Sequence, residues 1–361
     1  MSRPYVTAFI AGDIGGTNAR FALVARTESG FEIRSWHTHE SQKMHDITDA
    51  LYPSLDAFRE EAPGIEPEAC WISAAGPVEN NVCQLSNVHW SIDGNRVGRL
   101  IDLPTTVIND FAAISYGTAL LDPEDPEQLV PIPHTGGGTP PATGNVAAVV
   151  GAGTGLGVGF LVHEAYRPRA FPSEAGHVDF APFDEETEKL RNFVAERIGD
   201  TPGNELFVSG QGIANTYRFV HERGNPRSYG AAERDEALLE WIANAPDNEI
   251  PSLVSRYAAS DATCAHVMRL FVRMYGKYAG NIALHVLPRG GVYLAGGIVG
   301  KNLPWFLDEP TFMEAFEANY KTSVQPVLET FPVYVVTEPA VSLYGAAHAA
   351  WLETRESINT A

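Results

Sequence analysis

The chain has 361 residues, enough for about two domains of ordinary size. Its formal net charge is −20, so the phosphates of nucleic acids and anionic membrane surfaces would be repelled, and neither is expected as a partner. The three cysteines, Cys70, Cys83 and Cys264, are too few and too widely spaced for a disulfide framework or a zinc site. No apolar run reaches the roughly 18 residues of a membrane-spanning helix. These features predict a protein of the reducing cytoplasm.

The first third of the chain alternates strand and helix patterns. Apolar and β-branched runs bounded by turn residues predict strands at Tyr5–Ala11, Ala19–Ala25, Phe31–Thr38, Ala69–Ala75 and Thr105–Ile108. Asp46 is predicted to cap a helix, because apolar side chains recur after it at helical spacing. The stretch Leu121–Thr143 is rich in proline, glycine and acidic residues, which predicts an exposed loop or a crossover between domains.

A glycine-rich turn between the first two strands carries the most specific pattern in the chain. Its candidate nucleotide-binding residues are Gly12, Asp13, Gly15, Gly16, Thr17 and Asn18. Glycines let backbone N–H groups approach a phosphate closely, and a carboxylate such as that of Asp13 can hold a divalent cation through water. An ordinary hairpin turn needs only two residues of this kind. The composition therefore favours a site for the phosphates of a nucleotide.

The second part of the chain opens in the same way as the first. A buried strand at Ala147–Val150 runs into the glycine-rich turn Gly151–Gly157, and Val158–Val162 is predicted as the returning strand. Repetition of this unit suggests a duplicated domain, with Gly153, Thr154 and Gly155 as further candidates for phosphate binding. Two such turns facing each other across a cleft would hold a phosphate chain through backbone amides and a bound cation.

The remaining predicted elements complete the second part. Helices are predicted at Glu185–Arg197, Gly210–His221, Asp235–Asn244, Asp261–Leu287 and Ser342–Thr354, and strands at Val292–Ala295 and Pro332–Val336. Apolar side chains recur along Asp261–Leu287 at helical spacing, which indicates a core helix and not a ligand site.

Two common nucleotide-binding motifs are excluded by spacing. The dinucleotide fingerprint needs glycine five positions after its first glycine, and no starting glycine in Gly151–Gly157 provides it. The Walker loop needs Gly-Lys followed by serine or threonine, and neither Gly276-Lys277 nor Gly300-Lys301 fits. The two turns therefore belong to another class of phosphate site.

In this order, the motifs resemble the bacterial-type glucokinase family, within the superfamily of hexokinase, actin and the chaperone ATPases. The matching segments are the two glycine turns at Gly12–Arg20 and Gly151–Gly157, Val107–Phe111, Ser173–Phe180, Glu205 with Ser209–Gly212, and Ala295–Ile298. The resemblance runs over most of the chain, and six matching segments in the same order are together specific for this family. Ala175 departs from the glycine that the family often has, which could shift Glu174, and Leu121–Thr143 is longer than usual.

The resemblance implies two α/β lobes of the ribonuclease H-like, actin-like ATPase type, each a mixed sheet flanked by helices, with a cleft between them. The small lobe would comprise residues 1–120 and 337–361, and the large lobe residues 121–336. It further implies a homodimer and the transfer of the ATP γ-phosphoryl group to the 6-hydroxyl of glucose with Mg²⁺.

The resemblance also assigns roles to individual residues. Asp110, at the end of an apolar strand, would be the general base, and Asp13 would contact the metal through water. The residues implied in sugar binding are Asn109, Asp110, Glu174, His177 and Glu205, and those implied near the adenosine are Gly296 and Gly297.

Several alternatives stay open from the sequence. The acceptor could be another hexose, such as fructose, mannose or an amino sugar, and the donor could be ADP or polyphosphate, since backbone turns bind phosphates generically. A sugar sensor without catalysis is a second class, disfavoured by the retained Asp110 and both turns. A nicotinamide oxidoreductase is a third, disfavoured by the glycine spacing.

Overall fold

The structure is a computed structural model that describes residues 6–85, 88–164, 167–224 and 235–360. The chain divides into two compact units. The first comprises Met1–Glu124, Gly159–Pro172 and Glu338–Ala361, and the second Asp125–Val158 and Ser173–Thr337. Residues 159–172 thus group with the first unit, and the lobe boundaries inferred from the sequence stay a prediction.

The strands, in chain order, are β1 Thr7–Ile14, β2 Asn18–Thr27, β3 Gly30–Glu40, β4 Ala69–Ala74, β5 Val78–Glu79, β6 Val82–Gln84, β7 Ser91–Asp93, β8 Thr105–Asn109, β9 Leu129–Pro131, β10 Val146–Ala152, β11 Leu156–His163, β12 Pro168–Ser173, β13 Gly291–Ala295 and β14 Val333–Val336. The α-helices are α1 Thr48–Glu61, α2 Gly94–Ile101, α3 Asp110–Thr118, α4 Glu185–Ile198, α5 Gly210–Arg223, α6 Glu236–Ala243, α7 Ile250–Tyr257, α8 Ala262–Val286, α9 Gly297–Lys301, α10 Leu303–Leu307, α11 Thr311–Glu317, α12 Gln325–Leu328 and α13 Val341–Thr360. Short 3₁₀ turns lie at Ser41–Lys43, Ala175–His177 and Asn204–Leu206.

Strand β1 is the centre of the first unit. The five-stranded sheet has the spatial order β3-β2-β1-β4-β8, in which β1 is antiparallel to β2 and parallel to β4. Side chains alternate along a strand, so Ala8 and Ile10 enter one core with α1, whereas Phe9 and Ala11 enter the other with α13. Burial on both faces explains why this strand reads as a continuous apolar run.

The second unit contains parallel strands of a six-stranded sheet with the order β12-β11-β10-β13-β14-β9. Strand β13 is parallel to β10 and to β14, and β9 is antiparallel to β14 at the edge. Helix α8 is mostly buried, and Tyr275 Oη on this helix donates a hydrogen bond to Val150 O at 2.8 Å. The interpretation of this segment as core is therefore confirmed.

Most predicted elements are present, with ends shifted by a few residues. Strand β1 extends to Ile14, beyond the predicted end, and Tyr5 lies outside the described residues. The N-cap of α1 is Ile47, one residue after the predicted Asp46, although the Asp46 carboxylate accepts a hydrogen bond from the Thr48 N–H at 2.7 Å. The α/β class is confirmed. Among the described residues, no helix combines the length and the apolar character needed to cross a membrane.

The segment Leu121–Thr143, predicted as an exposed loop or a crossover between domains, contains the boundary between the two units at Glu124 and Asp125, and it also contains the strand β9. Three residues ending in proline give no strand pattern, and proline fits an edge strand such as this one. Beyond β9, His134 Nδ1 lies 2.7 Å from Glu317 Oε1 on α11, and both residues are buried. The segment is therefore tied to the second unit.

Candidate active site

Three parallel strands of the first unit end at one edge of the sheet. Ile14 on β1 pairs with Ala74 on β4, and Ala74 pairs with Asn109 on β8. Neighbouring strands lie about 4.8 Å apart, so the first glycine turn and Asp110 follow strands separated by about 10 Å. Ligands of α/β folds bind at such carboxyl ends.

The first glycine turn closes tightly between β1 and β2. Gly15 N–H donates to Asn18 O at 2.9 Å, and Thr17 and Asn18 are exposed. Gly12 has a different reason to be glycine, since a Cβ there would lie 2.9 Å from the Phe21 ring inside the sheet. Its missing side chain therefore serves packing, whereas the exposed residues of the turn are available to a ligand.

The carboxylate of Asp13 is ion-paired with the Arg20 guanidinium across the β1–β2 pair. Arg20 also donates through Nη1 to Pro339 O at 3.0 Å, and Ser73 Oγ donates to Asp13 Oδ1 at 3.4 Å. The sequence pattern predicted no role for Arg20 or Ser73. The only sequence signal was the position of Arg20 seven residues after the acid, on a strand that returns beside it.

Asn109 and Asp110 stand at the junction of β8 and α3. Asn109 Oδ1 accepts from the N–H groups of Phe111 at 2.9 Å and Ala112 at 3.2 Å, while its Nδ2 donates to Gly76 O at 3.2 Å. Asn109 is thus the N-cap of α3, a position that favours asparagine. Asp110 is the first residue of the helix, where the helix dipole stabilises a negative charge.

A buried thiol lies near the Asp110 carboxylate. Burial, and next the negative charge of Asp110, raise the pKa of Cys83 to about 11. The thiol is therefore neutral at physiological pH, and the negative charge beside it is that of Asp110. Asp110 itself is half-buried.

The second glycine turn lies at the carboxyl end of β10. Gly153 N–H donates to Gly155 O at 2.8 Å, and Thr154 between them is exposed. Gly151 on β10 pairs with Ala295 on β13, so this turn and the residues that follow β13 lie at the same edge of the second unit's sheet.

Gly296 and Gly297 follow β13 at that edge. Gly296 has φ +97°, and a Cβ there would lie 2.4 Å from Ala152 O. Only glycine combines this conformation with so close an approach to β10. Gly297 is exposed and has open space at its Cβ position, so both residues present backbone to solvent.

Glu174 and His177 are exposed side chains of one short turn. Glu174 Oε2 lies 3.7 Å from His177 Nε2. Between them, Gly176 packs so closely on β11 that a Cβ would lie 2.0 Å from Leu156 O. Ala175 is accommodated without a left-handed backbone, so the departure from glycine imposes no strain there.

Glu205 contacts the second glycine turn directly. Its Oε2 accepts from the Leu156 N–H at 2.9 Å and lies 2.5 Å from the position of a Cβ on Gly155. The predicted substrate-binding residue is thus also part of the loop structure, a role that spacing in the sequence did not reveal.

Each unit therefore gathers its own share of the predicted residues. The first unit brings together Asp13, the first glycine turn, Asn109 and Asp110. The second brings together Gly153–Gly155, Glu174, His177, Glu205 and the Gly296-Gly297 pair. Among the described residues no cluster of three or more histidine, cysteine or acidic side chains could hold a metal by itself.

A family model described as Glucokinase matches residues 10–353. A curated glucokinase of Trichormus variabilis is 36% identical over 352 residues, which cover 95% of this chain and 98% of the relative. A solved glucokinase from an Antarctic psychrotroph superposes with a TM-score of 0.74 at 27% identity, covering 95% of this chain and 98% of that one. A glucokinase of Balamuthia mandrillaris, solved with glucose, has a TM-score of 0.71 at 21% identity, covers 96% of this chain and 94% of that one, and supports the fold.

Proposed function

The chain belongs to the glucokinase family of ATP-dependent hexose kinases, and on that premise we propose that it transfers the γ-phosphoryl group of ATP to the 6-hydroxyl of glucose with Asp110 as general base. The observation that carries this proposal is the placement of Asp110. It begins α3 at the carboxyl end of β8, on the same sheet edge as the first glycine turn.

Asp110 is suited to act as the base that accepts a proton from an alcohol. Phosphoryl transfer depends mainly on positioning and on charge neutralisation, so one carboxylate within reach of the hydroxyl is sufficient. The cap supplied by Asn109 fixes the first turn of α3 and with it the backbone of Asp110. The rigid strand end thus supports the positioning that this chemistry requires.

The sugar is proposed to contact Asn109, Asp110, Glu174, His177 and Glu205. The Asn109 amide carries two hydrogens, of which one is donated to Gly76 O, and the second suits a sugar hydroxyl. Glu174 and His177 are more than half exposed and close together, so they can bind neighbouring hydroxyls of one ring.

The nucleotide phosphates are proposed to bind the two glycine turns, with the adenosine near Gly296 and Gly297. Mg²⁺ bound to the phosphates would neutralise their charge, and Asp13 would contact it through water. A carboxylate oxygen is a suitable partner for this cation, but Asp13 must share its charge with Arg20. An indirect contact through water suits such a shared carboxylate better than direct coordination.

A matrix of sugars against phosphoryl donors tests the proposal, with sugar phosphate as the product measured. Glucose with Mg-ATP is expected to give the highest kcat/KM. A higher value for fructose, mannose or an amino sugar would reassign the acceptor, and activity with ADP or polyphosphate alone would reassign the donor. Sugar binding without any product would indicate a sensor.

We further propose that the protein acts in the cytoplasm as a homodimer. The cysteines Cys70, Cys83 and Cys264 are buried free thiols, which suits a reducing cytoplasm. The homodimer follows from the resemblance alone. Light scattering coupled to size-exclusion chromatography measures the mass of the assembly directly, and a monomer at micromolar concentration would refute the dimer.

A further inference from the structure

A single side chain joins the sugar-binding and nucleotide-binding parts of the second unit. Glu205 belongs to the group proposed to face the sugar, yet its Oε2 accepts the Leu156 N–H at 2.9 Å, immediately after the second glycine turn. We propose that Glu205 is a positioning residue that holds this turn in its phosphate-binding shape, so that the two substrates are linked through one carboxylate. The inference rests on the proposed function.

Gly155 shows how closely this carboxylate is fitted to the turn. A Cβ at this position would lie 2.5 Å from Glu205 Oε2, a distance that no carbon and oxygen tolerate without moving apart. The corresponding position at Gly153 in the same turn is open. Because the carboxylate is the end of a flexible side chain, a Cβ at Gly155 would displace it from the turn.

The segment that carries Glu205 holds the turn at a second point. Ser209 Oγ donates to Glu205 O at 2.6 Å, and the next residue, Gly210, donates its N–H to Gly153 O at 2.8 Å. The segment from Glu205 to Gly210 thus binds both ends of the turn. With Leu156 held at one end and Gly153 at the other, the exposed Thr154 is presented between two fixed points.

The two carboxylate oxygens have separate tasks in this arrangement. Oε2 faces the backbone of the turn, and within the described residues Oε1 makes no hydrogen bond, which leaves it for a sugar hydroxyl. A hydrogen bond from a backbone N–H to a carboxylate is charge-assisted and stronger than a neutral one. Its loss is therefore expected to loosen the turn before any sugar is present.

Binding of a non-hydrolysable ATP analogue with Mg²⁺ and no sugar, measured by calorimetry, tests the inference. Glu205→Ala is expected to weaken the analogue about tenfold, the effect of one such hydrogen bond. Glu205→Gln keeps an acceptor oxygen for the Leu156 N–H, so it is expected to bind the analogue within about threefold of wild type while its glucose KM rises. Equal analogue affinity in Glu205→Ala and wild type would overturn the inference.

Gly155→Ala supplies an independent test from the other side of the contact. Its Cβ displaces the carboxylate, which is the end of a flexible side chain, so it is expected to weaken the analogue with little change in melting temperature. The same substitution made in the Glu205→Ala background is expected to weaken the analogue no further, because the displaced carboxylate is already gone. An equal loss in both backgrounds would place the clash elsewhere and contradict the inference.

Hydrogen exchange at the Leu156 amide separates this inference from the proposed function. Exchange is expected to accelerate in Glu205→Ala and to stay slow in Glu205→Gln, with no nucleotide present. If the wild-type protein fails to bind the analogue, the nucleotide site is wrong, yet the exchange rates still decide whether Glu205 holds the turn. Unchanged exchange in Glu205→Ala would refute that role directly.

Discussion

Asn109 caps the helix that Asp110 begins, so the residue proposed to bind the sugar also fixes the backbone of the residue proposed as base. Asn109 is the last residue of β8 and Asp110 the first of α3, with no intervening loop. Because the two residues are adjacent but have different roles, substitutions at Asp110 are expected to affect catalysis, whereas substitutions at Asn109 are expected to affect stability and sugar binding.

Replacement of Asp110 by asparagine is expected to remove nearly all turnover while the fold is kept. Asparagine has the same shape but cannot accept the hydroxyl proton, and general-base catalysis contributes about 10²–10⁴-fold. We expect kcat to fall by about 10³ and glucose binding to change by less than about tenfold. Coupled assays and calorimetry measure the two, and a kcat close to wild type would remove Asp110 from the mechanism.

Two substitutions of Asn109 are expected to differ in their effects. Asp accepts the N–H groups of Phe111 and Ala112 as asparagine does, but it lacks the amide donor. The free energy of unfolding of Asn109→Asp should therefore stay within about 1 kcal/mol of the wild-type value, while its KM for glucose rises. Asn109→Ala loses the cap, which costs about 1 kcal/mol, as well as the sugar contact. Equal glucose KM values for Asn109→Asp and wild type would argue against the sugar role.

The ion pair between Asp13 and Arg20 is expected to show strong coupling. Arg20→Gln leaves the half-buried carboxylate without its cation, which costs about 1–3 kcal/mol of unfolding free energy. The double variant Asp13→Asn with Arg20→Gln should lose less than the sum of the two single losses. Urea denaturation gives the free energy of unfolding of the wild type and the three variants. Strictly additive losses would show that the interaction between Asp13 and Arg20 does not stabilise the fold.

The His134–Glu317 contact is expected to hold the segment after β9 in place. His134 Nε2 lies 2.9 Å from Phe331 O, and Glu317 also accepts the Thr135 N–H at 3.1 Å. Without His134 the buried Glu317 carboxylate and the Phe331 carbonyl each lose a hydrogen bond, which costs about 1–3 kcal/mol. We expect a loss of this size for His134→Ala in urea denaturation. Glu329→Gln, an exposed site near this segment, is the control and should lose less than about 0.5 kcal/mol.

The buried ring of His348 is expected to make stability fall in mild acid. Burial lowers the pKa of His348 from its ordinary 6.5, although its Nδ1 lies 3.0 Å from Tyr116 O. The unfolded chain therefore binds a proton that the folded protein does not, so stability is complete above about pH 6.5 and falls below it.

Melting temperatures at pH 7.5 and pH 5.5 check this prediction. His348→Gln is expected to lose fewer degrees than wild type across this range, because its side chain does not titrate. His45→Gln serves as the matched control, since the His45 side chain is 97% exposed. Identical losses in wild type and His348→Gln would show that the ring is already accessible to protons in the folded state.

Strands buried on both faces could be predicted from the sequence, and pairs between distant residues could not. The apolar runs of β1, β4 and β10 are strong local signals, and the two glycine turns directly follow β1 and β10. The contact between Glu205 and Leu156 depends instead on how segments that are far apart in the sequence pack together. Spacing along the chain carries no information on such a contact.

Glycines were the most ambiguous of the predicted site residues. Gly12 matched a phosphate turn by its neighbours, yet the reason for its identity is the Phe21 ring beside it. Gly155 lies close to the Glu205 carboxylate, and Gly296 lies close to the Ala152 carbonyl. A glycine in a motif can thus serve a ligand, a neighbour or both, and only the three-dimensional neighbours distinguish these roles.

Helix α13 has a consequence for how the protein is made. Its Leu343, Ala346 and Ala347 cover the face of the first sheet that carries Phe9 and Ala11. During synthesis that apolar face stays uncovered until residues 341–350 have left the ribosome, long after β1 has emerged. We therefore expect the earliest strands to be among the last to reach a finished core, and nascent chains to depend on chaperones during that delay.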